Sequence, residues 1–170
     1  MKKIILVGVA VIIVVISYIF YVDLTYSPLK DKDFKQLFKQ SLDVKRLSSI
    51  DFLGFNVRGE FFEIYKYSVG EIEINNELSN IKVWENNEIT RSTIIQKWQN
   101  CPIDSLSAKL YDFMLTVNDF KKWDCLKTLN NSLKDSQNYY CYIYFDESEQ
   151  YFLLCNIKEE ALYYIRKKGF

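Results

Sequence analysis

The sequence predicts an α+β protein: a single N-terminal transmembrane helix followed by one domain with an antiparallel sheet and helices. Three observations lead there. Residues Ile4 to Val22 are nineteen positions without a charge. Beyond them, some segments repeat their apolar side chains at helical spacing and others alternate with a period of two. The strand-like and helix-like segments are grouped rather than interleaved, which indicates segregated α+β order. Residues 1–22 read as a membrane anchor, 23–30 as a tether and 31–170 as a globular domain.

The run Ile4–Val22 spans roughly 28 Å as a helix, matching a hydrocarbon core of about 30 Å. Tyr18, Phe20, Tyr21 and Tyr26 cluster near its far end, where amphipathic rings favour the interface. A cleaved signal peptide is the competing reading. Against it, the apolar run exceeds the usual length of roughly 7–15 residues, and no clean small-x-small site follows. Lys2 and Lys3 place the N-terminus on the cytoplasmic side and the domain outside. Lys30, Lys32 and Lys35 weaken that bias but are interleaved with Asp31 and Asp33. The expected location is the cell (inner) membrane, single-pass, with residues 4–22 in the lipid bilayer.

After the tether, Phe34, Leu37, Phe38 and Leu42 share one face of a helix expected over about 31–42. Residues 50–57 and 60–69 suggest a hairpin, with Gly54 at a bulge and Arg58-Gly59 in the turn. Glu71–Ile74 alternates strictly and reads as a further strand, with Ile81–Trp84 as a fourth. Thr90 to Gln99 is expected to be helical, with Ile94, Ile95 and Trp98 inward and Pro102 as its stop. A second helix begins at Asp104 and carries Leu106, Leu110, Phe113, Met114 and Val117 on one face. A third begins at Asn118, with Phe120, Trp123, Leu126 and Leu129 inward. Tyr139–Phe145, Tyr151–Ile157 and Ala161–Arg166 close the chain as a strand meander.

The chain carries 22 basic and 22 acidic residues. A near-neutral domain has no long-range field for nucleic acid, so that partner is not expected. Aromatic residues make up 16% of the chain, so large rings carry much of the burial. Abundant Lys, Asn and Ile suggest an AT-rich, bacterial genome.

The four cysteines are Cys101, Cys125, Cys141 and Cys155. Outside the cytoplasm an even number reads as a disulfide framework. A last hairpin centred on Ser148 would set Cys141 opposite Cys155, leaving Cys101 with Cys125. Four cysteines allow three connectivities, and buried free thiols are the plain alternative. With no histidine and no CxxC, no metal site is expected.

The absence of histidine also removes Ser-His and Cys-His nucleophile pairs. Ser-x-x-Lys occurs at Ser27–Lys30 and Ser79–Lys82, a spacing that arises by chance in such a chain. Asp146, Glu147 and Glu149 read as a solvated turn, and Glu71 and Glu73 as carboxylates facing water. The five glycines form neither a phosphate loop nor a dinucleotide fingerprint. No catalytic residue and no cofactor is therefore assigned.

Tyrosine is concentrated in the last strands. Tyr140, Tyr142 and Tyr144 share one hairpin face, joined by Phe152 and Leu154. Covered by helices, this face is core, and its hydroxyls emerge at the rim. Left open, it is an aromatic patch suited to a protein partner. The expected role is an exported, non-enzymatic domain that binds another protein of the cell envelope as an accessory, inhibitor or immunity-type factor. The alternative is a membrane-tethered small-molecule-binding or sensing domain, with a pocket lined by Tyr and Trp between sheet and helices.

Overall fold

The structure is a computed structural model. It describes residues 2–54, 58–74, 93–105, 108, 124–146 and 149–169. Side chains are described at all of these except 2–6, 20, 23–25, 124, 125 and 146. The chain forms two compact units, Met1–Lys30 and Asp31–Phe170.

The first unit is helix α1, Lys2–Thr25. Its described apolar side chains are exposed on every side, among them Val7, Val11, Ile12, Ile13 and Val14. Counted over the described residues, no helix is long and apolar enough to cross a membrane.

The second unit is an α+β domain built on an antiparallel sheet. Its elements are α2 (Asp31–Phe38), β1 (Lys45–Asp51), β2 (Phe61–Ser68), β3 (Ile94–Ile95) and β4 (Gln99–Asn100), then α3 (Asp124–Ser132), β5 (Tyr139–Asp146), β6 (Glu149–Asn156) and β7 (Ala161–Lys168). The strand order is β1-β2-β7-β6-β5-β3, with β4 also on β5. The expected meander of the last three strands is present, and β2 closes on β7 through pairs such as Tyr65–Tyr164.

Every residue of β6 is buried, so both sheet faces are covered at the centre. One face carries Ile64, Tyr140, Tyr142, Phe152, Leu154, Tyr163 and Ile165, packed with Leu126, Leu129 and Leu133 from α3 and the residues just after it. On the other face, Tyr67 meets Phe34 of α2 edge-on, with ring centroids 5.0 Å apart. Phe38 stacks on Trp98 at 5.6 Å. The helix that buries Phe34, Leu37 and Phe38 is therefore the one that the apolar spacing indicated.

Several boundaries differ from expectation. Helix α2 ends at Phe38, because Lys39 adopts a left-handed backbone (φ 55°) that stops the helical ladder. The first strand is Lys45–Asp51 rather than 50–57. It is an edge strand exposed along most of its length, so it lacks the apolar pattern that marks a buried strand. Residues 71–74 are not a strand: β2 already has β1 and β7 as neighbours, and the chain turns away at Gly70 (φ 66°). Residues 93–100 are not helical but form the short strands β3 and β4, with Trp98 buried and Ile94 exposed. The expected strand 81–84 lies outside the described residues. So do Leu106 and Leu110 to Trp123, apart from a helical start in which Ala108 N donates to Asp104 O.

Candidate functional site

The tyrosine face is core. Tyr140, Tyr142, Phe152 and Leu154 are buried beneath α3, and Tyr144 is half-buried. Of the two readings the sequence left open for this face, a core covered by helices and an open aromatic patch, the fold has the first: four of the five side chains are buried, with the apolar stripe of α3 against them. The hydroxyls do reach the rim. Tyr140 OH accepts from Asp104 N at 3.1 Å. Its own proton is within reach of Gln99 Oε1 at 3.0 Å and Asp104 Oδ2 at 2.9 Å. Gln96 Nε2 donates to the same carboxylate oxygen at 3.2 Å. Burial, then the nearby Asp104 carboxylate and Tyr140, push the Tyr142 hydroxyl above its ordinary pKa.

The cysteine pairing also needs correction. Strand β5 sets Cys141 opposite Leu153, and Cys155 opposite Tyr139. The register is two residues away from the one that would have joined the cysteines. Cys141 and Cys155 still share a face, but as diagonal neighbours, about 7–8 Å apart where directly opposite residues are closer. A disulfide needs Cβ atoms roughly 3.5–4.5 Å apart. Cys101, Cys141 and Cys155 are free and buried. Burial raises all three thiols above their ordinary value, Cys101 to about 12. The Cys125 side chain lies outside the described ones, but Cys101 is free, so the pairing expected between them is not formed either.

The serine and carboxylate motifs resolve similarly. Ser27 Oγ donates to Leu29 O at 2.6 Å. Ser79–Lys82 lies outside the described residues, as do Glu147 and the Asp146 side chain. Glu149 is not a solvated turn residue. It is buried, accepts from Tyr151 OH, and pairs with Lys168 Nζ at 2.7 Å. Glu71 and Glu73 are exposed.

What the sequence reading missed is a polar cleft of about 370 Å³ at the end of α3. Its floor is three buried polar residues, Ser132, Asn138 and Asn156. Asn138 Nδ2 donates to Ser132 O at 2.8 Å, and its Oδ1 accepts from Ile157 N at 3.1 Å. Asn156 Nδ2 donates to Ser132 Oγ at 2.7 Å, and its Oδ1 accepts from Glu159 N at 3.0 Å. Ser132 Oγ in turn donates to Thr128 O at 2.9 Å, so its proton is committed to a carbonyl rather than to a base. This floor ties α3, the loop after it and the β6–β7 turn together.

The mouth of the cleft carries Asn131, Asp135, Lys158 and Glu159. Glu159 is bridged to Lys66 Nζ at 2.9 Å. Burial alone would lower the pKa of Lys66, but the bond to Glu159 and the nearby Tyr163 outweigh it and raise the value. Hydrogen-bonding groups of both signs around a cavity of this size suit a small polar molecule. The asparagines gave no sequence signal, because isolated Asn residues read as turn formers. Among the described residues no cluster of metal-ligating side chains forms. Comparison with family models, curated proteins and solved structures found no match to this chain.

Proposed function

We propose that this is a single-pass membrane protein of the cell envelope, anchored by α1, whose exported domain binds another protein without catalysing a reaction. An accessory, inhibitory or immunity-type role fits that description. The observation that carries the reading is α1 itself. Nineteen uncharged residues lie within one 24-residue helix, and its described apolar side chains point to every side. A helix that is apolar all round needs either a protein core or lipid around it. The protein-binding surface is not the tyrosine face, which is core, so it belongs to the outer surface of the domain.

The experiment is protease accessibility in intact spheroplasts, combined with flotation of the full chain on neutral vesicles. An anchored, exported domain floats with the vesicles and is digested without lysis. A chain that stays in the soluble fraction overturns the anchor, and digestion only after lysis overturns export. Photo-crosslinking from exposed positions such as Leu47 then tests for an envelope partner. No crosslinked product from positions scanned around the whole domain would overturn protein binding.

A second reading is favoured by the polar cleft. A membrane-tethered sensing domain would take a small hydrophilic molecule there, in contrast to the Tyr- and Trp-lined pocket expected from sequence. Ligand-induced thermal stabilisation that is lost in Asn131→Ala would support it.

A further inference from the structure

If the polar cleft takes a small hydrophilic molecule, as the second reading above has it, the class of that molecule follows from the lining groups that the protein leaves open. Ser132 Oγ donates to Thr128 O and accepts from Asn156 Nδ2. Asn138 Nδ2 donates to Ser132 O. A side-chain amide carries two N–H donors, so each of these buried asparagines keeps one. Asp135 Oδ1 accepts from Gln137 N at 3.0 Å, which leaves Oδ2. The side chains of Lys158 and Asn131, both exposed at the mouth, hold no partner among the described residues.

The charges divide in the same way. Glu159 is offset by Lys66, so the lining offers a ligand one cation, Lys158, and one anion, Asp135. The cleft also lies at the C-terminal end of α3, whose last turn carries no basic residue. A helix places about half a negative charge at that end, and nothing in the turn offsets it. It adds to Asp135 in favouring an ammonium group. Lys158 and the spare amide donors of Asn138 and Asn156 favour a carboxylate. A ligand of one charge sign gains from only half of this set, and an uncharged one gains from neither charge. The cavity, about 370 Å³, is at the small end of ligand sites, about 300–1,000 Å³, so the two groups must belong to one compact molecule. Every residue that lines it is polar, which gives an apolar side chain nothing to pack against.

Resting on that reading, we propose that the cleft binds a zwitterionic amino acid with a small polar side chain. Its carboxylate accepts from Lys158 Nζ and the floor amides, and its ammonium group donates to Asp135 Oδ2. The Asn131 amide is left for the polar side chain. A quaternary ammonium compound fits less well, since it has no N–H to give Asp135.

The test is calorimetric titration of the full chain in mild detergent with L-serine, L-leucine, ethanolamine, L-lactate and glycerol. L-Serine is expected to bind, with ethanolamine and lactate, which each lack one of its charges, about tenfold weaker or more. L-Leucine and glycerol are expected to bind more weakly than L-serine. Lys158→Gln should weaken L-serine about fivefold and leave ethanolamine unchanged. Asp135→Asn keeps the acceptor for Gln137 N and should weaken L-serine while leaving lactate unchanged. A merely structural loss would move both probes in each variant, and that result overturns the inference. Any of the other four probes binding as tightly as L-serine also overturns it, while the cleft remains a small-molecule site. Unchanged L-serine affinity in both variants places the amino acid elsewhere and overturns it too. No binding of any of the five overturns the inference together with the sensing reading.

Discussion

Asn156 Nδ2 donates to Ser132 Oγ at 2.7 Å, joining the end of β6 to the last turn of α3. The same asparagine accepts from Glu159 N. Its side chain therefore ties the last turn of α3 to the β6–β7 turn. Asn156→Ala leaves a buried hydroxyl and a backbone amide without these partners. It is expected to cost about 1–3 kcal/mol in urea unfolding of the full chain in mild detergent. Asn131→Ala, at the exposed mouth of the same cleft, should stay within about 0.5 kcal/mol. Equal effects at the two positions would show that the floor is not structural.

Tyr140 tests whether the tyrosine face is core or contact surface. Tyr140→Phe keeps the stack on Phe152, at 6.0 Å between centroids, and removes the hydroxyl that meets Gln99 and Asp104. A loss of about 1–3 kcal/mol is expected, since one partner is a carboxylate. A partner-binding tyrosine would instead leave stability unchanged and weaken capture of the partner.

The thiols make a chemical prediction. Cys101, Cys141 and Cys155 are buried and free, so a thiol reagent should modify none of them in the native chain and all of them in denaturant. Modification of any of the three at native pH would place that sulfur at the surface.

The same burial gives a pH dependence. Cys101 is raised from 9.0 to about 12, so the unfolded chain loses this proton first as pH rises. The stability it contributes is fully present below pH 9 and is lost as pH climbs toward 12. Unfolding followed across that window should show a steeper decline for the wild type than for Cys101→Ala. Parallel slopes would remove Cys101 from the alkaline transition.

Glu160 occupies the left-handed region (φ 48°) at the end of the β6–β7 turn, where its carbonyl accepts from Val69 N at 2.9 Å. The side chain is exposed, so the backbone strain is not offset by packing. Glu160→Gly is expected to stabilise by up to about 1 kcal/mol, read as a raised denaturation midpoint. A lowered midpoint would mean that the glutamate side chain contributes more than its backbone costs.

The hairpin of β5 and β6 shows where sequence reading reaches its limit. Its strands and their faces were legible, because Tyr139–Phe145 and Tyr151–Ile157 are apolar or aromatic along their length. A slip of one residue turns every side chain over, yet both faces of this hairpin are apolar and buried, so the pattern does not exclude even that slip. A slip of two leaves each side chain on its own face, so the pattern cannot exclude it. The irregularity between Tyr144 and Asp146 sets the choice, and it puts Leu153 rather than Cys155 opposite Cys141. Strand β1 was misplaced for the converse reason: an edge strand with little buried surface has no pattern to read. The spacing of Ile94, Ile95 and Trp98 predicts a helix from Thr90 to about Gln99, whereas the described part of this segment, from 93 on, holds β3 and β4. It was drawn into strand by the open edge of β5, a partner distant in sequence.

By itself the sequence determined the uncharged run Ile4–Val22, the α+β class, the inward face of α2 and the three closing strands. Each of these rests on local periodicity or length, which the chain carries without reference to its fold. The tertiary structure decided the rest. It set β2 beside β7, covered the tyrosine face with α3, separated Cys141 from Cys155 along the hairpin, and gathered Ser132, Asn138 and Asn156 into one polar floor. Those outcomes depend on pairing and burial between residues far apart in the chain, where a single residue type carries no signal until its neighbour is known.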